Sequence, residues 1–246
     1  MMEQIRLNKY FAQCGLCSRR DADKLIEQGR VTINGQPATM GQAVSAADEI
    51  CVNGKVLTGR KRNIVLAYYK PVGVVCTERD AHADKTITDM IDYPERVTYA
   101  GRLDKDSEGL ILLTNDGDLI NAMMRGSNRH EKEYIVKVDK QITPDFLLRM
   151  SEGIYLKDLD ITTRKCEVTQ IGKYTFRIIL TQGVNRQIRR MCGTLGYQVR
   201  SLKRIRVVNI TLDHIPCGSY REVVGEELEQ LYRIAGIIKH DTTNRR

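Results

Sequence analysis

Apolar positions near the start of the chain recur first at helical and then at strand spacing. Leu7, Tyr10, Phe11 and Cys14 predict a short amphipathic helix that stops at Gly15. Ser18 is placed to cap a second helix, with Asp21 three positions on and Ala22, Leu25 and Ile26 along one face. Gly29 is its stop signal. Val31-Thr32-Ile33 then reads as a strand running into an Asn34-Gly35 turn, and Ile50-Cys51-Val52 followed by Asn53-Gly54 repeats that grammar. Residues 1–60 are therefore expected to form a small helix-and-hairpin domain.

Beyond a basic junction, Arg60-Lys61-Arg62, the pattern changes. Residues 64–69 are a strand candidate ending at Lys70-Pro71, and Val72-Gly73-Val74-Val75 continues it after a turn. Further strands are expected at 97–99, 110–114, 134–138, 175–180 and 206–211, with short helices at 118–124, 144–150 and 185–195. Regular alternation of strands with long helices is missing, which argues against a doubly wound nucleotide fold. Walker A and GxGxxG sequences are missing too, so nucleotide hydrolysis and dinucleotide redox chemistry start low. The expected class is α+β: the small N-terminal domain, a junction at 61–62, a larger mixed and mainly antiparallel-sheet domain over 63–236, and a flexible basic tail over 237–246.

Composition narrows the partners. The 39 Lys and Arg outnumber the 31 Asp and Glu, giving a net charge of +8, which favours a polyanion, with nucleic acid ahead of a membrane surface. No apolar run approaches bilayer-spanning length, and the opening residues lack a secretory pattern, so a cytoplasmic, monomeric protein is expected. The seven cysteines are odd in number and scattered, which fits a reducing compartment. Cys14 and Cys17 have CxxC spacing without a second pair, and His82, His130, His214 and His240 form no metal motif. A small-residue turn between two helices accounts for the cysteine pair, and neither metal nor cofactor is expected.

The candidate chemistry lies in Gly101-Arg102-Leu103-Asp104-Lys105-Asp106-Ser107-Glu108-Gly109, which joins a strand to the apolar run Leu110-Ile111-Leu112-Leu113. A loop carried by buried strands can hold a carboxylate rigidly. Asp104 fits that role if Leu103 anchors the loop, but Asp106, Glu108, Asp116 and Asp118 are alternatives, and a turn or surface carboxylate is the blander reading. Tyr134 could stack on a base that has left its helix, although a strand tyrosine more often belongs to a core. In the expected helix 185–195, Ile188, Met191, Cys192 and Leu195 share an apolar face. At about 100° per residue Arg186 and Arg190 point away from that face, as phosphate contacts would, and Arg189 lies on its flank. Residues 184–206 hold seven Lys and Arg, Arg204 and Arg206 among them, and no Asp or Glu, a concentrated cationic footprint. Arg6, Lys9, Arg19, Arg20 and Lys24 lie around the two N-terminal helices and can reach phosphates or simply be solvated.

The N-terminal run from Arg6-Leu7-Asn8-Lys9-Tyr10 through Cys17-Ser18-Arg19-Arg20-Asp21-Ala22-Asp23-Lys24 to Gly29-Arg30-Val31 resembles the S4 RNA-binding domain. Gly101-Arg102-Leu103-Asp104 through Gly117 resembles the catalytic signature of one branch of the pseudouridine synthases, with an A type for small-subunit RNA and B, E and F types for large-subunit RNA. Lys70-Pro71-Val72-Gly73 and Lys132-Glu133-Tyr134 match its other motifs, in order, and the likeness spans about residues 5–232. The form Thr181-Gln182-Gly183-Val184-Asn185-Arg186-Gln187-Ile188-Arg189-Arg190-Met191-Cys192 resembles the F type, with Gln182 where many relatives are acidic. This resemblance implies isomerisation of uridine to pseudouridine in RNA without a cofactor. It assigns the essential carboxylate to Asp104, the aromatic ring against the base to Tyr134, and the arginine paired with that carboxylate to Arg189. Arg102 would contact the RNA backbone or organise the loop. The implied substrate is a stem-loop with a flipped uridine in large-subunit ribosomal RNA near its peptidyl-transferase region, with a structured tRNA second.

Overall fold

Local sequence signals account for most of the N-terminal unit. In the computed structural model, which describes residues 4–45, 47–59, 62–77 and 85–237, a short strand β1 (Ile5–Arg6) leads into helix α1 (Leu7–Gln13). Helix α2 (Arg19–Glu27) starts at Ser18, whose Oγ accepts from the Asp21 N–H at 3.1 Å and donates to the Asp21 carboxylate at 2.7 Å. Such a cap is worth about 1 kcal/mol, enough to fix where a nine-residue helix begins. The chain continues through β2 (Val31–Ile33), β3 (Gln36–Pro37), β4 (Ala43–Val44), β5 (Ile50–Val52) and β6 (Lys55–Val56). Four of these form a sheet in the order β3-β2-β5-β6, and β1 pairs with β4. Asn34 and Gly35, then Asn53 and Gly54, all take positive φ, the type I′ geometry that Asn-Gly turns supply. Leu7, Phe11, Ala22, Ile26, Val31 and Ile50 close the core of this unit. Cys14 ends α1 and is buried, and Cys17 lies half-buried between α1 and α2.

The second unit is built on β7 (Val65–Lys70), β8 (Thr98–Tyr99), β9 (Glu108–Thr114), α3 (Gly117–Met124), β10 (Lys132–Val138) and α4 (Pro144–Glu152). After β11 (Tyr155–Leu156) and β12 (Ile161–Thr162) come β13 (Glu167–Gly172), β14 (Thr175–Leu180), α5 (Gln187–Thr194) and β15 (Val199–Val207). The last elements are β16 (Ile210–Thr211), β17 (Tyr220–Glu222) and α6 (Gly225–Ile234). One mixed sheet runs β13-β14-β10-β15-β9-β7-β17, with β8 beside β9 and β16 beside β15. Every pair in it is antiparallel except β15 with β9, where Lys203 faces Glu108 and Arg204 faces Gly109. The architecture is α+β, as the pattern predicts.

That parallel pair divides the sheet into two packed halves. On one side β7 and β9 cover α3 and α6 through Val65, Leu110, Leu112, Leu119 and Leu231. On the other, β10 and β14 cover α4 and α5 through Val136, Phe146, Phe176, Ile188 and Met191. β9 is apolar and buried along nearly its whole length, so the loop entering it starts from a rigid base.

Three expectations need correction. Residues 72–75 form no strand; only Val75 bridges to Thr86. Gly73, at φ 92°, turns the chain so that the buried Lys70 ammonium collects the Pro71 and Val74 carbonyls at 2.7 and 2.9 Å. The segment 206–211 is not one strand but the end of β15 and its hairpin partner β16, reversed at Val208, φ 57°. Helix α5 begins at Gln187, and Arg186 before it is left-handed at φ 52°. Arg60, Lys61, His82 and the tail from residue 238 lie outside the described residues. Among the described residues no helix is long and apolar enough to cross a membrane.

Candidate active site

The loop that feeds β9 is tied down along its length. The buried Leu103 donates its N–H to the Cys76 sulfur at 3.4 Å, and Gly73 donates to the Lys105 carbonyl at 2.7 Å. Ser107 N–H closes back on the Asp104 carbonyl at 3.1 Å. From β15, the buried guanidinium of Arg204 donates to the Leu110 carbonyl at 2.6 Å and to the Arg102 carbonyl at 3.4 Å. The 73–76 segment, Arg204 of β15 and the loop's own turn thus fix the backbone around Asp104, whose side chain stays 34% exposed at the end of the sheet's parallel seam. A carboxylate held by backbone bonds yet open to solvent can meet a substrate without rearrangement.

Two arginines converge on this loop. Arg186 grips the Asp106 carboxylate with both terminal nitrogens, at 3.1 and 2.9 Å, and approaches the Asp104 carboxylate at 3.7 Å. Arg189 reaches the Asp106 carbonyl at 2.8 Å, Ser107 Oγ at 3.2 Å and the Asp106 carboxylate at 3.3 Å. The expected pairing of Arg189 with the Asp104 carboxylate is therefore replaced: Arg186 faces Asp104, and Arg189 braces the loop through Asp106 and Ser107. The reason is local. A helical wheel over 185–195 places Arg186 away from the core, but residue 186 is left-handed rather than helical, which redirects its side chain to the two carboxylates.

Electrostatics follow from this packing. Burial raises the Asp106 carboxyl, but the hydrogen bonds from Arg186 and the charges of Arg189 and Arg186 outweigh it and hold it below its ordinary value. Burial lowers the Lys70 ammonium despite Cys76, Asp104 and Asp106, which favour its charge. Ser107 is thus a part of the site that the sequence pattern left without a role, while Asp106 stood there as an alternative carboxylate and Arg204 as one of the cations of 184–206. Lys70 stands in the Lys70-Pro71-Val72-Gly73 motif, which by itself gives its side chain no role.

Tyr134 is half-buried in β10 and lies opposite Arg204, which in turn lies opposite Gly109, so three adjacent strands meet at one level. Lys132, on the same strand, donates to the His130 carbonyl at 3.2 Å. Burial, with help from the charge of Arg204, pulls its ammonium down to about 8. The folded protein then binds fewer protons than the unfolded chain between about pH 8 and the ordinary lysine value, so stability rises with pH across that window. Lys132→Met is expected to melt higher than the parent at pH 7, with the gap narrowing at about pH 9.5. Equal gaps at the two pH values would show that this lysine carries no burial penalty.

The outer cations are less available than their numbers imply. Arg190 is held by the Asn185 carbonyl and side chain and by Asp158, and Arg206 by Glu133 and Glu131. Arg204 is buried and Lys203 lies over the Tyr69 ring at 4.6 Å. The footprint over 184–206 is largely folded into internal pairs, Arg186 and Arg190 among them. Arg102 is exposed, as are Arg6, Arg19, Arg20 and Lys24, while Lys9 is half-buried.

Comparison with known proteins bears on this arrangement directly. Residues 63–194 match the family described as RNA pseudouridylate synthase, and residues 5–50 match the S4 domain. The chain is 47% identical over 232 residues to "Dual-specificity RNA pseudouridine synthase RluF" of Escherichia coli (strain K12), covering 94% of this chain and 79% of that one. The chain belongs to the RNA pseudouridine synthase family. It is also 36% identical over 237 residues to "Ribosomal large subunit pseudouridine synthase B" of Bacillus subtilis (strain 168), covering 94% of this chain and 96% of that protein. A crystal structure of a pseudouridylate synthase superposes with a TM-score of 0.68 at 30% identity, covering 92% of this chain and 99% of its own. This RNA pseudouridine synthase therefore carries the F-type likeness and the S4 module that its motifs imply.

In an RNA pseudouridine synthase built this way, Arg186 is expected to act in turnover, which the helical wheel hides. Arg186→Ala removes the guanidinium that, among the described residues, reaches both carboxylates. We expect turnover at saturating RNA to fall by on the order of a hundredfold, as when a preorganised charge partner is lost. A change in affinity alone, with single-turnover rates intact, would return Arg186 to the RNA-contact class.

Proposed function

We propose that this enzyme isomerises specific uridines in large-subunit (23S) ribosomal RNA, near the peptidyl-transferase region, with Asp104 as the essential carboxylate. The observation that carries this reading is the placement of a backbone-fixed, solvent-open Asp104 beside Arg186, within a chain of this family. The relative of Bacillus subtilis is named for the large half of the ribosome, which supports the choice of substrate. A structured tRNA is the second substrate class; the Escherichia coli relative is named as dual-specificity, which supports more than one RNA substrate.

The reaction is balanced within one nucleotide. The N1–C1′ bond breaks, the base turns while held, C5 bonds to C1′, and the proton leaving C5 is matched by one gained at N1. Asp104 acts at the sugar or at the base to free the linkage. Arg186 orients the Asp104 carboxylate, and Arg186 with Arg189 keeps the neighbouring Asp106 ionised. Tyr134 stacks on the uracil once the nucleotide is flipped, keeping it near the sugar for recapture. Loss of the C5 hydrogen provides the test: RNA labelled with tritium at uridine C5 releases tritium to water with the enzyme. A folded enzyme that binds the RNA yet releases none from any ribosomal or transfer RNA refutes the reading.

Residues 1–60 form the targeting module in this proposal, 61–62 the junction, 63–236 the catalytic domain and 237–246 a basic tail, in a cytoplasmic protein. The S4 match and the exposed Arg19, Arg20 and Lys24 on α2 support it. Replacing all three by alanine in the full chain is expected to weaken RNA binding and to lower the salt slope by about one for each phosphate no longer held. Saturating turnover should hold. An unchanged salt slope would remove α2 from the RNA interface.

A further inference from the structure

With the cations of 184–206 folded into internal pairs, the RNA backbone must be met elsewhere on the second unit. An arginine already bound to a carboxylate has to give up that partner before it can take a phosphate, and an unneutralised one does not. The turn between α3 and β10 gathers arginines of the second kind. Arg125 and Arg129 flank a 3₁₀ turn, Gly126–Asn128, and both are exposed. Asn128 ties this turn to α3 by donating to the Ala122 carbonyl at 2.9 Å. From the segment between β12 and β13 the exposed Arg164 reaches the same turn, its guanidinium donating to the Gly126 carbonyl at 3.3 Å. The same nitrogen donates to the Thr181 carbonyl at 3.3 Å, and the Arg164 backbone N–H to the Gln182 side-chain oxygen at 2.9 Å.

Carbonyls orient Arg164 without cancelling its charge, and the donors on its other guanidinium nitrogens remain for a ligand. Among the described residues none of Arg125, Arg129 and Arg164 has a carboxylate partner. The acids nearby are engaged or distant. Glu131 pairs with Arg206 at 3.1 Å and Glu152 with Lys165 at 2.5 Å. Asp118 lies two helical turns before Arg125, about 10 Å away at about 1.5 Å per residue, which is about a Debye length. Arg129 adds a separate sign. It is left-handed at φ 51°, a conformation that asparagine or glycine takes with less strain, and no hydrogen bond or ion pair of its side chain among the described residues offsets that cost. The turn also stands close to the reaction strand. Lys132, at the start of β10, pairs with Leu180 beside Thr181, and Arg129 is five residues from Tyr134, at most about 18 Å along the chain. In an enzyme acting on RNA, the strand leaving Tyr134 is thus the anion nearest to these three cations.

We propose that Arg129 and Arg164, with Arg125 beside them, grip the phosphate backbone of the substrate RNA next to the target uridine. The inference rests on the RNA reading above and moves the backbone grip of the second unit from the outer face of α5 to the turn before β10.

The test uses the full chain and the stem-loop RNA that mapping identifies, with affinity measured by fluorescence anisotropy at several salt concentrations. Arg129→Asn removes the charge and suits the left-handed backbone; Arg164→Gln removes the charge and keeps a side-chain donor. Each should weaken binding about three- to tenfold and lower the salt slope by about one. Arg149→Gln is the control: it removes the same charge from α4, where Arg149 faces Asp145 at 3.9 Å, and should bind as the parent does. Arg129→Asn should also melt no lower than the parent. That variant carries the test alone if Arg164→Gln loosens the loop it braces. An unchanged affinity and slope in Arg129→Asn, an equal loss in Arg149→Gln, or a lower melting temperature for Arg129→Asn overturns the inference. Failure of the parent to release tritium from this RNA would instead count against the reading of function, whereas release with unchanged slopes counts against the grip alone.

Discussion

Asp104→Asn should lower single-turnover pseudouridine formation by on the order of 10⁴-fold or more while the protein folds and binds RNA as before. Asparagine keeps the size of the side chain but can neither attack as a carboxylate nor take up a proton as one. The loop that presents residue 104 is fixed by bonds that the substitution does not touch: Leu103 to Cys76, Gly73 to Lys105, Ser107 to the residue 104 carbonyl, and Arg204 to the carbonyls of Arg102 and Leu110. Among the described residues the ion pair given up is a half-exposed approach to Arg186 at 3.7 Å, a distance at which little stability is at stake. Rapid-quench turnover with a melting curve separates the two effects. Asp106→Asn provides the contrast, because it loosens the grip of both arginines and should cost stability as well as rate.

The largest expected effect on folding lies at Gly109. A Cβ there would sit 2.2 Å from the Arg204 carbonyl oxygen and 2.6 Å from its nitrogen, with φ at 113°. Both neighbours are backbone atoms of the adjacent strand, so no side chain can swing aside. The parallel pairing of β9 with β15 would have to open at the point that carries Arg204 beneath the Asp104 loop. Gly109→Ala should therefore destabilise by about 3–5 kcal/mol, lowering the melting temperature by about 10 °C in a chain of this size. Gly101 is the control. Its φ is 110° but nothing lies within 4 Å of its Cβ, so alanine there brings strain without collision and about 1–2 kcal/mol. Equal melting temperatures for the two variants would contradict the close approach at the seam.

The parts of this fold legible in the sequence are those set by neighbours along the chain. The Ser18 cap, the two Asn-Gly turns and the apolar run of β9 are local statements, and the structure contains each of them. The helix α6 carried a readable signal, with Leu228, Leu231, Tyr232 and Ala235 at helical spacing, that the pattern reading passed over. β13 carried almost none: Glu167–Gly172 is an edge strand with mostly exposed side chains, positioned by its pairing to β14. The Asp104 loop was singled out correctly as a rigid loop between strands, yet the partners within it were not. One left-handed residue at 186 moved an arginine from the RNA-facing surface to the carboxylates. Arg204 counted as surface charge until the parallel seam buried it. Lys70, likewise, belongs to the site through a turn at Gly73 that no periodicity reports.

The central claim joins a reaction, a residue and an RNA, and one measurement addresses all three. Site-resolved pseudouridine mapping of ribosomal and transfer RNA is carried out on cells lacking this protein, resupplied with either the parent chain or Asp104→Asn at equal abundance. The expected result is that pseudouridine near the peptidyl-transferase region of large-subunit RNA disappears with the protein, returns with the parent and stays absent with Asp104→Asn. Restoration of the same modification by Asp104→Asn, or unchanged ribosomal RNA in cells without the protein, would contradict it.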